Sequence, residues 1–288
     1  MMIGKCVITI ACQKVRVPGW HGRLIRNGFR FEPANKIRLL NRGSTMADKI
    51  LCEKVGDATH ITLNRADCGG LVSDPMATEM ANMIDAANGD SKYIVFRSAG
   101  DDFCLGRDPE GREPGKPGDA MDARRRSEVV FNFYGAFRRS KIPVIAAAQG
   151  RSLGFGCAIA SVCDITIAAE SARFALPEMG HNIMPTMAMS SLVDRVGRKG
   201  ALYLTYSTEE IDAQTALSYG LVSRVVPDEK LEDQLQMVCA AIDKAPMPAV
   251  LSVKEYATNA LTMSIEQASD FARNMHSAVN TSKGMMGN

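Results

Sequence analysis

The sequence predicts an α/β fold made of stacked β-β-α turns and closed by a helical C-terminal region. Three observations carry this expectation. Strand-like runs at 60–63, 93–98 and 143–148 each lead into a turn of small residues, a loose internal repeat that a plain open sheet would not need. The run Pro143-Val144-Ile145-Ala146-Ala147-Ala148 is short and continuously apolar, as a buried strand is. After Met187 the pattern becomes helical almost throughout.

The chain has 288 residues, of which 46% are hydrophobic and 23% charged, enough for a sizeable core. Its net charge of +2 hides an asymmetry: residues 1–45 hold nine Lys/Arg and one acid, Glu32, a net +8, leaving −6 for the rest. An acidic body without a basic, aromatic-interleaved stripe excludes nucleic acid as the expected partner. No apolar run approaches the roughly 20 residues that cross a bilayer, so no membrane partner is expected. Eight cysteines, at 6, 12, 52, 68, 104, 157, 163 and 239, form no C-x-x-C pair and no zinc-type cluster, so no metal is expected. They read as free thiols of a reducing compartment.

Residues 1–45 are excluded from the fold. They read as non-native sequence ahead of a start at Met46, or as a disordered basic tail. A targeting peptide is the third reading, for which serine is scarce. From Met46 onward, Ile50–Val55 and Ala58–Leu63 form a hairpin about Gly56-Asp57. A loop over 64–73 precedes a helix to about Ala87, with Asp74 as N-cap and Pro75 at its first position. Tyr93–Ser98 is a buried strand. Three prolines and three glycines make 109–118 a mobile loop. Residues 120–140 are helical, with apolar positions at 129, 130, 133, 134 and 137. Helices then follow over 188–196, 199–206, 213–219, 231–244, 249–260 and 265–279, interrupted by one short strand within 220–227. The spiral core is expected over 46–230 and the helical region over 231–288. The last helices have little sheet to cover and are expected to pack on a neighbouring subunit.

The stretch 141–187 organises the rest. A strand leads into Gly150-Arg151-Ser152-Leu153-Gly154-Phe155-Gly156, a glycine-rich turn, then into a small apolar helix from Cys157. A second strand at 164–169 leads to Phe174-Ala175-Leu176-Pro177-Glu178, which sets a lone carboxylate in apolar sequence. That plan suits chemistry on a carbonyl. The same turn contains a literal G-x-S-x-G at 150–154, so a serine hydrolase is the rival enzyme. The rival needs a later histidine on a loop. His181 follows too closely, and His276 sits within a helical pattern.

Leu63-Asn64-Arg65, Phe103-Cys104-Leu105-Gly106-Arg107-Asp108, Lys141 to Ala147, Leu153-Gly154-Phe155-Gly156-Cys157, Cys163-Asp164-Ile165, Phe174 to Glu178, Val196-Gly197 and Ala213 through Val222 resemble the enoyl-CoA hydratase/isomerase (crotonase) superfamily in order and spacing. The resemblance covers about 48–260. It implies the ββα spiral, trimers often paired into hexamers, and acyl-CoA thioester substrates, with no cofactor beyond the coenzyme A of the substrate itself. It implies two backbone N–H donors, at Leu105 and Phe155, for the thioester oxygen as negative charge develops there. Gly106, Gly154 and Gly156 would let backbone approach the ligand closely. Cys104, beside the first donor, and His181 would also lie against the substrate, the latter offering a second acid/base group. Phe155 stands where glycine is usual and is expected to reshape the acyl pocket.

By the same resemblance, the two acids of the family's hydratases fall at Ala158 and Glu178. Only Glu178 is present, and its apolar neighbours should raise its pKa. One acid favours double-bond isomerisation over hydration. A non-catalytic acyl-CoA-binding homologue is the remaining alternative. The expected location is the cytoplasm, or the mitochondrial matrix if residues 1–45 are a targeting peptide.

Overall fold

The computed structural model describes residues 46–110 and 118–286; the expectations for 1–45 and for most of the 109–118 loop concern residues outside that set. The strands are β1 Ile50–Val55, β2 Ala58–Leu63, β3 Tyr93–Ser98, β4 Val144–Ala148, β5 Arg151–Leu153, β6 Ile165–Ala169, β7 Arg173–Ala175, β8 Ile211–Asp212 and β9 Arg224–Val226. The helices are α1 Met46–Lys49, α2 Asp74–Ala87, α3 Ala120–Arg139, α4 Phe155–Val162, α5 Thr186–Leu192, α6 Arg198–Ser207, α7 Ala213–Tyr219, α8 Leu231–Lys244, α9 Met247–Ala260, α10 Ile265–Asn280 and α11 Lys283–Met286.

The large sheet runs β1-β2-β3-β4-β6-β9 and is parallel except for the β1–β2 hairpin. A second, narrow ladder runs beside it. Cys104 bridges Ser152, and β5 pairs with β7 and β7 with β8. Each pass of the chain therefore lays one strand in the large sheet, a short extended piece in the second layer, and then a helix. This is the spiral of β-β-α turns that the internal repeat predicts.

Period-two alternation explains the continuous apolar runs. In β3, Ile94 and Phe96 enter the main core with Ile61, Val144 and Ala146, while Tyr93 and Val95 face the other way. There they meet Ile145, Ala147 and Ile167, and α8 covers them through Leu235, Val238 and Ile242. Whereas the edge strand β1 is largely exposed, at β3 and β4 both faces of the sheet are dry, so these central strands are almost continuously apolar. This corrects the view that the last helices lack sheet to cover: α8 has it. The expectation of an unpartnered face falls instead on α10, which has no buried residue and stacks on α9 through Phe271 and Tyr256 at 5.7 Å.

Three other details differ from the sequence reading. The N-cap of α2 is Ser73, in extended conformation, and Asp74 is already helical, with Pro75 following. The turn at 150–156 contains a strand, β5, which is held by backbone bonds between Leu153 and Cys104 at 2.9 Å and between Cys104 and Arg151 at 3.1 Å. Helix α5 starts two residues earlier than expected and ends at Leu192.

Two contacts fix the layers that frame the centre of the molecule. Gly156, in the first turn of α4, lies against the backbone carbonyl of Cys104 so closely that a Cβ would overlap it. On the far side, Lys254 of α9 is only 7% exposed. Its ammonium donates to Ile142 O at 2.9 Å, Phe137 O at 3.2 Å and Asp164 Oδ2 at 2.7 Å. Asp164 Oδ2 also accepts from Val144 N at 2.8 Å. One buried cation thus ties α9 to the end of α3 and to the starts of β4 and β6. Removing one partner of such a buried pair strands the other. Lys254→Met is therefore expected to lower the unfolding free energy by about 3 kcal/mol, read as a lower urea midpoint at unchanged slope. Gly156→Ala is expected to cost about 2 kcal/mol or more by overpacking, read in the same titration.

Candidate active site

The second-layer ladder brings the predicted residues to one place. After Cys104 the chain runs Leu105-Gly106-Arg107, and beside it Leu153 and Gly154 leave β5 for α4. Gly154 precedes α4 with φ +52°, a left-handed conformation that favours glycine. Beyond β7 the chain turns through a short 3-10 helix, Pro177–His181, that carries Glu178 back over Gly154. Glu178 Oε1 lies 3.0 Å from where a Cβ on Gly154 would be. A side chain at 154 would push the carboxylate away from the start of α4.

These segments line a cleft of about 380 Å³ with Tyr134, Phe155, His181, Ile183, Met184, Pro185, Met187 and Ala188. Of the predicted residues, Leu105, Gly106, Gly154, Phe155, Glu178 and His181 line it; Cys104 and Gly156 do not. Cys104 is fully buried behind the wall, where its main chain joins β5 and its Sγ donates to Gly106 O at 3.6 Å. Burial pushes that thiol up to about 12, and Cys157 likewise upward, so both are packed neutral thiols. Gly156 serves the site by letting α4 approach Cys104. His181 is exposed at the rim.

Phe155 opens α4, so its N–H has no acceptor within the helix. The N–H of Gly156 is in the same position one residue on. Leu105 departs from the expectation made for it: its N–H donates to Gly69 O at 2.9 Å. The glycine pair Gly69-Gly70, with φ of +64° and +67°, lays that loop against the 103–105 segment. The helix N-terminus thus offers the cleft uncommitted backbone donors. The Phe155 ring does not cross the cleft. It stacks on Phe133 at 5.4 Å and on Tyr134 at 5.5 Å, joining the α3 aromatics to form one wall.

Glu178 is half-buried, and its Oε2 is sealed from solvent with no hydrogen-bond partner among the described residues. Desolvation raises its pKa, opposed by a backbone hydrogen bond and by His181. A carboxylate so placed is a stronger base than one in water and releases its proton less readily.

Two residues of the cleft escaped the sequence reading. Tyr134 sits in the apolar 129/130/133/134/137 stripe of α3, a pattern that signals core; the residue is 2% exposed, yet it lines the cleft. Its hydroxyl bonds to no protein group among the described residues, and burial, with Glu178 adding to it, holds it well above the usual phenol value. Arg107 was visible only as part of a motif. Asp108, its neighbour, pairs with Arg65 at 2.6 Å and caps Glu110 N at 2.9 Å, which braces the Leu105–Asp108 segment.

The rival nucleophile does not assemble. Ser152 lies inside β5, fully buried, and its Oγ has no partner among the described residues. His276 is on α10 beside Asn280. No cluster of metal-ligating side chains occurs among the described residues, and none of their helices is long and apolar enough to cross a membrane.

Comparison with known proteins agrees with the geometry. The family model for enoyl-CoA hydratase/isomerase matches residues 54–287. The short-chain-enoyl-CoA hydratase of Clostridium acetobutylicum is 32% identical over 215 residues, covering 71% of this chain and 79% of its own. Among solved structures, an enoyl-CoA hydratase of Mycobacterium smegmatis superposes with a TM-score of 0.76 at 24% identity, over 83% of this chain and 93% of its own. A putative enoyl-CoA hydratase from Thermobifida fusca in complex with CoA gives 0.72 at 26% identity, over 81% and 93%. With its ββα spiral and a match spanning nearly every described residue, the chain belongs to the enoyl-CoA hydratase/isomerase family.

Proposed function

We propose that the protein acts on enoyl-CoA thioesters, moving a carbon–carbon double bond through an enolate with Glu178 as the only carboxylate acid/base. The observation that carries this reading is Glu178 itself: one desolvated carboxylate over the start of α4, with alanine where a second acid would stand. The carboxylate takes a proton from the carbon beside the thioester of a 3-enoyl chain, and the electron pair moves onto the thioester oxygen. The N–H groups at the start of α4, Phe155 first, stabilise that oxyanion where water is scarce. Leu105 contributes only by sharing its proton with Gly69 O. The protonated Glu178 then returns the proton two carbons further along, and the double bond comes into conjugation. No atom is gained or lost, and no cofactor beyond the substrate's own CoA is needed.

Hydration is the second reading, favoured by Tyr134: a neutral hydroxyl facing the same cleft is a group able to hold a water against Glu178. As for assembly, the family resemblance is what supports a trimer or a pair of trimers, and the exposed apolar residues Val253, Leu261 and Ile265 on and between α9 and α10 are surface that such an assembly would cover.

Mass and NMR analysis of products from 2-enoyl and 3-enoyl thioesters tests the reading. Isomerisation is expected to leave mass unchanged in H2O, and Glu178→Gln to lower kcat by about 10²–10⁴-fold. A dominant product heavier by one water would replace isomerase with hydratase. The pH profile carries a second expectation. The working form of Glu178 is the carboxylate, and burial raises its pKa above the ordinary 4.5. Activity should therefore fall with decreasing pH along an acid limb centred above that value, and Glu178→Gln should abolish the limb. A limb at or below 4.5 would contradict the desolvated base.

A further inference from the structure

Proton transfer by Glu178 leaves one cation of the cleft without a task. Arg107 lines the cleft beside Leu105 and Gly106, with its side chain only 15% exposed. Its Nη2 donates to Asp74 at the start of α2, and its Nη1 lies 3.8 Å from Met187 Sδ, a weak acceptor. A guanidinium has five donors; those of Arg107 not directed at Asp74 meet no oxygen acceptor among the described residues. They belong to a side chain that lines the cleft, with Met187 in contact with it and Tyr134 and Ala188 in the same lining.

A tether alone does not account for this. One hydrogen bond to Asp74 suffices to fasten the 105–108 segment to α2, and Arg65–Asp108 already braces the same segment from outside the cleft. A purely alkyl chain would bury the free donors of Arg107 without replacing the water they hold, at a cost in affinity. An acyl chain bearing an oxygen would satisfy them.

We propose that Arg107 sets the substrate class: the acyl group carries an acceptor oxygen, as carboxylate or as ketone or hydroxyl, to which the guanidinium donates. This rests on the reading that CoA thioesters are the substrates. Because the Met187 side chain meets Arg107, the stretch of acyl chain beside that contact is hydrocarbon.

Calorimetric binding of unreactive saturated thioesters separates this inference from the isomerase reading, since no turnover is involved. The panel is C4 and C6 acyl-CoA ending in methyl, ketone or carboxylate, together with CoA alone, titrated into wild type, Arg107→Met and Arg107→Gln. Wild type is expected to bind an oxygen-bearing chain about tenfold or more tighter than its methyl counterpart. In Arg107→Met that ratio should collapse to about twofold or less, with Arg107→Gln between. The ketone and carboxylate arms distinguish a neutral acceptor from an ionic one. Because the readout is a ratio within each protein, partial loss of folded variant cancels. Equal wild-type affinity for methyl-ended and oxygen-bearing chains would overturn the proposal even if no variant folds. So would an equal loss for every thioester and for CoA alone, which would assign Arg107 to the coenzyme. Failure of all thioesters to bind wild type would overturn the thioester reading along with it.

Discussion

The approach of two backbone segments, Cys104–Gly106 and Leu153–Gly156, is the constraint on which the rest of the site depends. Two hydrogen bonds join Cys104 to β5, and the missing side chain at Gly156 lets the first turn of α4 settle on the Cys104 carbonyl. Side chains add little beyond Asp102, whose Oδ1 accepts from Arg151 N at 2.9 Å, and the Cys104 thiol, which donates to Gly106 O. Once the two segments are in register, the start of α4 points into the cleft, Gly154 leaves room for the Glu178 carboxylate, and Arg107 is delivered to the wall. Backbone geometry of this kind tolerates varied side chains, as Leu105 and Phe155 illustrate, but not a methyl group at the point of contact.

Much of this was legible in the sequence. The hairpin at Gly56, the strand at 93–98 and helices α7 and α8 occupy the residues that pattern assigned to them, because apolar periodicity and turn residues agree there. The misses have physical causes. Strand β5 is three residues long and sits among glycines; its pairing with Cys104 is a tertiary fact that no local signal announces. Ser152 sits in a G-x-S-x-G whose motif promises an exposed elbow, yet register turns its side chain inward. Asp74 before a proline reads as an N-cap, but Ser73 holds the extended conformation that begins the helix.

The site itself was legible where chemistry narrows the choice of residue. Glu178 stands out as a lone acid in apolar sequence, whereas Tyr134 is concealed by its own helix. A residue on the apolar face of α3 reads as core, and most of its ring is core: only its place at the end of the Phe133–Phe155 stack carries the hydroxyl to the cleft. The committed N–H of Leu105 is equally invisible in sequence, since it depends on where Gly69 brings the preceding loop.

The aromatic at 155 and the alanine at 158 belong to one arrangement. They lie one turn apart on α4, on the same face. Drawing the Phe155 ring onto Phe133 and Tyr134 closes that face, and Ala158 is fully buried, outside the lining of the cleft. A carboxylate at 158 would have to reach past the ring or remain beneath it, where ionisation without a partner is costly. Position 158 is thus packed away from the cleft, and the same stack brings Tyr134 into a lining that also holds Glu178, His181 and Arg107.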